Sequence, residues 1–253
     1  MGQIMNYPLL IGVITVLCLW ASARVGASLR KRTKRPDESL AEEYAIVLGA
    51  TLTLLGLLIG FSFSMAINRY DLRKNYEEEE ANAIGTEYLR ADLLADPVRQ
   101  RVQQDLRQYL DLRIRRYQAH ASHDVSELSA KTAQLQAQLW VEVKDAARAN
   151  PNAIMAAVAT GMNDVINRQG FTQAARLNRI PLPGWGLMAI IALFSNFLIG
   201  YGEKGARNYL LVIVPLVIAV SFLLIADIES PQGGFIRIVP HNLMNLADSL
   251  RTG

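Results

Sequence analysis

One helix-compatible stretch that changes character part-way constrains this chain more than anything else in it. Residues 45–67 read AIVLGATLTLLGLLIGFSFSMAI and contain no charged side chain. At a rise of 1.5 Å per residue, such a segment crosses a hydrocarbon core of about 30 Å. The sequence then turns polar without a break, as NRYDLRKNYEEEEANAIGTEYLRADLLA, and no proline occurs before Pro97. A helix continued through both parts is a rod of roughly 75 Å, half suited to lipid and half to water. This element, with the other apolar segments, predicts a polytopic membrane protein carrying a helical domain outside the bilayer.

Three more segments qualify as spans. Residues 4–23 are apolar and end in Ala21-Ser22-Ala23, small enough for a signal-peptidase site. A signal peptide would need a basic start, and no Lys or Arg precedes Arg24. The basic residues follow instead, as Arg24, Arg30, Lys31, Arg32, Lys34 and Arg35, which is a stop-transfer arrangement and favours a retained helix. Residues 185–201 form the third span, with Trp185 and Tyr201 as interfacial anchors. Asn196 inside it is expected to make an intramembrane polar contact with another helix. Residues 209–226 form the fourth span, where Pro215 should give a kink or a local break.

The segment between spans two and three reads as amphipathic helices. Asp96-Pro97 and Asn150-Pro151 each look like a cap followed by proline at the first helical position. Val98, Val102, Leu106, Tyr109, Leu110, Ile114 and Tyr117 stripe one helix; Leu128, Thr132, Leu135, Leu139 and Val143 stripe the next, after a turn at 122–124. A further helix carries Ile154, Val158, Met162 and Val165 and is expected to end near Gly170. With the polar continuation of span two this makes four helices joined by short turns, best arranged as an antiparallel bundle. The run Glu77 to Glu80 points around most of a helix and reads as a solvated surface. His120 and His123 sit at a helix end with only Asp124 nearby, so a solvated turn is a better reading than a metal site. After residue 240 a last amphipathic helix, bearing Leu243, Leu246, Ala247 and Leu250, has either the membrane surface or the bundle to lie on.

The expected fold class is therefore all-α, with four transmembrane helices and an extramembrane helical bundle inserted between spans two and three. The expected divisions are 1–67, the first pair of spans; 68–180, the bundle; 181–226, the second pair; and 227–253, a tail with an amphipathic helix. On span two, Gly49, Thr53, Gly56, Gly60 and Ser64 recur at spacings of three or four and share one face. Two uses fit that face: close packing against another helix, with Gly56 and Gly60 as a GxxxG pair, or open space beside a pathway. A net charge of +3 without a basic, aromatic-interleaved cluster gives no reason to expect a nucleic-acid partner. No glycine-rich phosphate loop, paired nucleophile or ligand cluster is apparent, so an enzyme is not expected and no cofactor or metal is implied.

The blocks GLLIGFSFSMAINRYDLRKNYEEEEANAIGTEYLRADLL, RIPLPGW and DIESPQGGFIRIVPHNL resemble the bestrophin-like family of prokaryotic membrane proteins. The segments Arg69-Tyr70-Asp71 and Glu80-Ala81-Asn82-Ala83-Ile84-Gly85 are the most specific parts of that resemblance. It implies kinship to bestrophins, pentameric ion channels with four spans per subunit and a helical cytosolic region between spans two and three. Their acidic calcium clasp after the last span has only Asp227 and Glu229 to match it here, so calcium gating is not carried over. Their aromatic neck is not matched by Phe61 and Phe63, which lie on different faces.

The expectation is an oligomeric protein of the cell's inner (plasma) membrane that conducts ions, anions in particular. The small-residue face of span two would line its pathway and Arg69 would stand at one mouth. The alternative is a membrane-anchored scaffold or sensor whose bundle binds a partner. The lipid bilayer, further copies of the chain and inorganic ions are the expected partners. Positive charge in the loops after spans one and three, including Lys204 and Arg207, places those loops in the cytoplasm and the bundle outside it. The bestrophin outline implies the reverse.

Overall fold

The computed structural model describes residues 7–32, 38–119, 122–202, 210–230 and 233–252. Several expectations fall outside them: the first residues of span one, the linker with Lys34, Arg35, Pro36 and Asp37, His120, the loop with Lys204 and Arg207, Tyr209, and Pro231. Among the described residues the protein is all-α, and four of its helices are long and apolar enough to cross a membrane. The chain divides into two compact units, Met1–Arg69 with Arg179–Arg237, and Tyr70–Asn178 with Ile238–Gly253.

The first unit holds α1 (Pro8–Arg32), the first part of α2 (Glu38–Arg90), α6 (Leu182–Gly202) and α7 (Leu210–Glu229). The single helix α2 runs from the apolar stretch through the polar one, because no proline or turn residue interrupts its hydrogen-bond ladder. Leu19 of α1, Leu55 of α2, Met188 and Ala192 of α6, and Ile218 and Phe222 of α7 form the core of this unit. Trp185 meets the Phe222 ring edge-on at 5.8 Å. Helix α1 lies against both α6 and α7, and glycine makes its approach possible. A Cβ on Gly26 would collide with the Phe197 carbonyl, and one on Gly200 with the Ala23 carbonyl. Helix α1 also runs past residue 23, so Arg24 and Arg30 belong to the helix instead of a loop. The Arg24 guanidinium covers the Trp20 ring at 4.8 Å, and Arg30 donates to the Tyr201 carbonyl at 3.0 Å. Helix α7 passes through Pro215 without a break.

The second unit is a bundle of the remainder of α2, a 3₁₀ turn (Ala91–Leu93), α3 (Val98–Gln118), α4 (Ser122–Ala149), α5 (Ala153–Leu177) and α8 (His241–Thr252). Ala81, Ile84, Val102, Leu106, Tyr109, Leu139, Val143, Val158, Met162 and Leu243 fill its core. The last helix therefore lies on the bundle, with Leu246, Ala247 and Leu250 against that core.

Four local expectations are corrected. Asp96 does not cap α3: its carboxylate is taken by Arg99 at 2.9 and 3.1 Å, and the helix begins after Pro97. The cap of α5 is Asn152, which accepts from the Met155 N–H at 2.9 Å two residues beyond the Asn150 position. Residues 122–124 open α4 rather than forming a turn, with Asp124 suited to the positive end of the helix. Helix α5 also continues through Gly170 to Leu177. Burial of Thr172 and Ala175 outweighs the roughly 1 kcal/mol that an interior glycine costs.

Candidate functional site

Among the described residues the expected pathway face of α2 is uncovered. Gly49, Thr53, Gly56, Gly60 and Ser64 are all exposed, and nothing lies within 4 Å of a Cβ placed on any of the three glycines. Among the described residues, therefore, no helix packs on the Gly56–Gly60 pair. The Thr53 hydroxyl folds back onto the Gly49 carbonyl at 2.8 Å. Beside this face, Leu54, Leu57, Phe61 and Met65 are exposed apolar side chains. The opposite side of the helix carries Leu55, Leu58 and Ile59 against the core of the span unit, and Ala66 further along is buried.

Arg69 lies at the boundary residue of that unit. Its guanidinium donates to Glu229 Oε1 at 3.2 Å, an ion pair between α2 and the end of α7. The other oxygen, Glu229 Oε2, accepts the Ile180 backbone N–H at 2.7 Å. Asp227 is used in the same way, its two oxygens accepting the N–H groups of Phe235 and Ile236 at 2.7 and 2.8 Å. Gly234 is required in this turn, because a Cβ there would come within 2.5 Å of the Asp227 carbonyl oxygen. The two acidic residues after span four thus organise the chain leaving α7 and the chain entering α6.

Asn196 is fully buried on α6, but its amide donates to Ala192 of its own helix at 2.8 Å, not to another helix. Its Oδ1 has no partner among the described residues. A side chain four residues from a helical carbonyl reaches it without help from a neighbour, and that local bond takes the amide hydrogen. His123 is exposed, with its Nδ1 3.7 Å from Asp124, and the described residues hold no cluster of metal-ligating side chains.

The solvated reading of the acidic run on α2 is overturned for two of its members. Glu77 is buried, accepting the Leu243 N–H at 2.9 Å and the Asn242 amide at 2.7 Å, and so fastens α8. Glu80 is 0% exposed and is held by Arg113 and by the Thr172 hydroxyl at 3.1 Å. Glu79 meets Arg168 at 2.5 Å nearer the surface. The i, i+3 spacing of Glu77 and Glu80 was the available signal, since it puts both on the face that carries Ile84. Gly26 and Gly200 were also missed, although Ser22 and Gly26, four apart, form a small-residue pair in the first span.

A helix that continues out of an apolar span, a bundle inserted between spans two and three, and an acidic turn after span four are matched by one sequence profile. The bestrophin-like domain aligns with residues 13–243. This chain belongs to the bestrophin-like family. No curated protein matches it significantly in sequence. Among solved structures, a variant of a bacterial bestrophin homologue from Klebsiella pneumoniae is similar at a TM-score of 0.63 and 13% identity, covering 95% of this chain and 97% of that one. Another crystal structure of a bestrophin homologue from that organism gives a TM-score of 0.61 at 12% identity, covering 95% and 98%. At such identities the likeness is one of fold, and it extends over nearly the whole of both chains.

Proposed function

We propose that this bestrophin-like protein is an oligomeric ion channel in which the small-residue face of α2 lines the pathway. The carrying observation is that this face is bare in the single subunit while the other side of α2 is packed. Gly49, Gly56 and Gly60 leave room along an axis, and the hydroxyls of Thr53 and Ser64 can replace part of an ion's hydration shell. Leu54, Leu57, Phe61 and Met65, next to that face, suit contact with a neighbouring subunit or lipid. Arg69 is assigned to one mouth, where a cationic ring favours anions; its partner Glu229 moderates that field. The basic loops after α1 and α6 face the cytoplasm, by the charge rule, and the bundle lies on the other side of the plasma membrane.

Planar bilayers under a salt gradient test the channel. Wild-type protein is expected to carry a current whose reversal potential reports anion preference, and Arg69→Glu, which sets two carboxylates together, shifts it toward cations. No current from fully oligomeric protein would leave the membrane-anchored scaffold as the reading. Conduction with unchanged selectivity in the variant would keep the channel and remove Arg69 from its mouth. Sidedness is read separately, by an impermeant thiol reagent on Ser129→Cys in a Cys18→Ala background. Labelling in intact spheroplasts supports the charge rule, and protection until lysis supports the bestrophin outline.

A further inference from the structure

The bundle contains a concentration of positive charge that its own carboxylates do not balance. Arg113, Arg116 and Tyr117 come from the end of α3, Thr172 and Arg176 from the end of α5, and Glu80 from α2. Glu80 is committed twice, to Arg113 and to the Thr172 hydroxyl. Arg116 Nη1 is cut off from solvent and has no hydrogen-bond partner among the described residues. The Arg176 guanidinium carbon stands 4.1 Å from the centre of the Tyr117 ring, so Arg176 of α5 and the end of α3 meet here. Burial and the repulsion of Arg176 and Arg113 pull Arg116 down to about 10, and burial likewise lowers Arg176. Three guanidiniums thus share one carboxylate, an excess of two charges.

A guanidinium with one nitrogen shielded from solvent and unpaired is unfavourable, and a counter-charge from outside the chain, bound at its open edge, would relieve it. Guanidinium forks match tetrahedral and planar oxyanions through paired N–H groups, with a geometry that a halide cannot use. Arg116 and Arg176 each keep some exposed surface, Arg116 the more open of the two, so a small solute can approach the pair from the Arg116 side. We propose that Arg116 and Arg176, backed by the Arg113–Glu80 pair, form a binding site for a soluble, doubly charged oxyanion such as a phosphate group. The site is independent of the pathway assigned to α2. It gives the bundle a ligand-sensing role, because the anion would tie α3 to α5.

Thermal unfolding of the full-length detergent-purified protein tests this, with sodium phosphate compared with sodium chloride at equal ionic strength. Wild type is expected to melt higher in phosphate, with an increment that saturates as concentration rises. Arg116→Gln should melt higher than wild type in chloride, having lost an uncompensated charge, and should show no phosphate increment. Arg115→Gln, on the exposed side of the same turn, should keep the wild-type increment. If Arg116→Gln yields no folded protein, Arg176→Lys replaces it, keeping the charge but not the fork, and should weaken phosphate binding at least several-fold by calorimetry. Equal melting of wild type in the two salts, or an increment that survives Arg116→Gln or an unchanged affinity in Arg176→Lys, overturns the site. A second arm uses phosphate-free micelles doped with anionic phospholipid; a shift there with none from free phosphate would place the recognised group on lipid and overturn a soluble ligand.

Discussion

Gly200 on α6 and Gly60 on α2 are both glycines of apolar helices, yet their surroundings are opposite. At Gly200 the α1 backbone is so near that a Cβ would strike the Ala23 carbonyl, and Gly26 makes the reciprocal contact at Phe197. At Gly60 none of the described residues lies within 4 Å of an added Cβ. A small residue in a span permits close approach, and only the neighbouring element decides whether the permission is used. The bundle repeats the contrast with carboxylates on one helix. Glu80 and Glu87 are both buried, seven residues apart on α2. Glu80 is matched by Arg113 and Thr172, whereas neither Glu87 oxygen has a hydrogen-bond partner among the described residues and Arg90 stands 3.8 Å away. Burial pushes Glu87 up to about 8, an effect that Arg90 reduces and nearby Asp164 reinforces.

The largest effect is expected at the matched carboxylate. Glu80→Gln leaves Arg113 buried without its counter-ion and should cost about 3–5 kcal/mol, read from denaturant or thermal unfolding in detergent. A loss below about 1 kcal/mol would mean that Arg113 finds other support, and the contrast with Glu87 would collapse.

Next comes Gly200→Ala, which forces two helix backbones apart and should cost about 1–3 kcal/mol. Melting of monodisperse protein measures it. An unperturbed variant would deny the close approach of α1 and α6 on which the comparison of glycines rests.

Glu87→Gln should have a smaller effect whose sign depends on pH. The folded value of about 8 lies above the ordinary 4.5, so folded Glu87 keeps a proton that the unfolded chain has released. Its contribution to stability therefore falls as pH rises from about 4.5 through 8 and levels off above that. The variant lacks this slope, so its melting temperature should gain on wild type between pH 5 and pH 9. Parallel curves across that range would show that Glu87 is satisfied after all.

The smallest change is Gly60→Ala. With open space around it, the methyl group meets no neighbour in its own subunit, and helix propensity favours alanine by up to about 1 kcal/mol. The stability of the chain should stay level or rise slightly. A destabilisation comparable to that of Gly200→Ala would make the two glycines alike and put a packed helix against α2.

Much of the fold was legible because it depends on properties that act along the chain. The uncharged run at 45–67, continued as a polar helical pattern, forces a long helix whatever surrounds it. The alternation of Val102, Leu106 and Tyr109 marks a buried face for the same reason. What remained illegible depends on partners far away in sequence. Nothing near Asn152 distinguishes it from Asn150 as a cap until the backbone around Pro151 is set. Nothing near Glu229 reveals that it accepts the Ile180 N–H and holds Arg69, 160 residues before it.

By itself the sequence determined the class of this protein: four apolar segments, a helical insert between the second and third, and the motifs of the bestrophin-like family. These follow from hydrophobic length and periodicity, which each segment carries within itself. Only the tertiary structure decided which charges are paired, which glycines touch backbone and which face of α2 stays bare. Those outcomes are set by what a side chain meets after folding, and identical residues at Gly60 and Gly200, or at Glu80 and Glu87, meet different things.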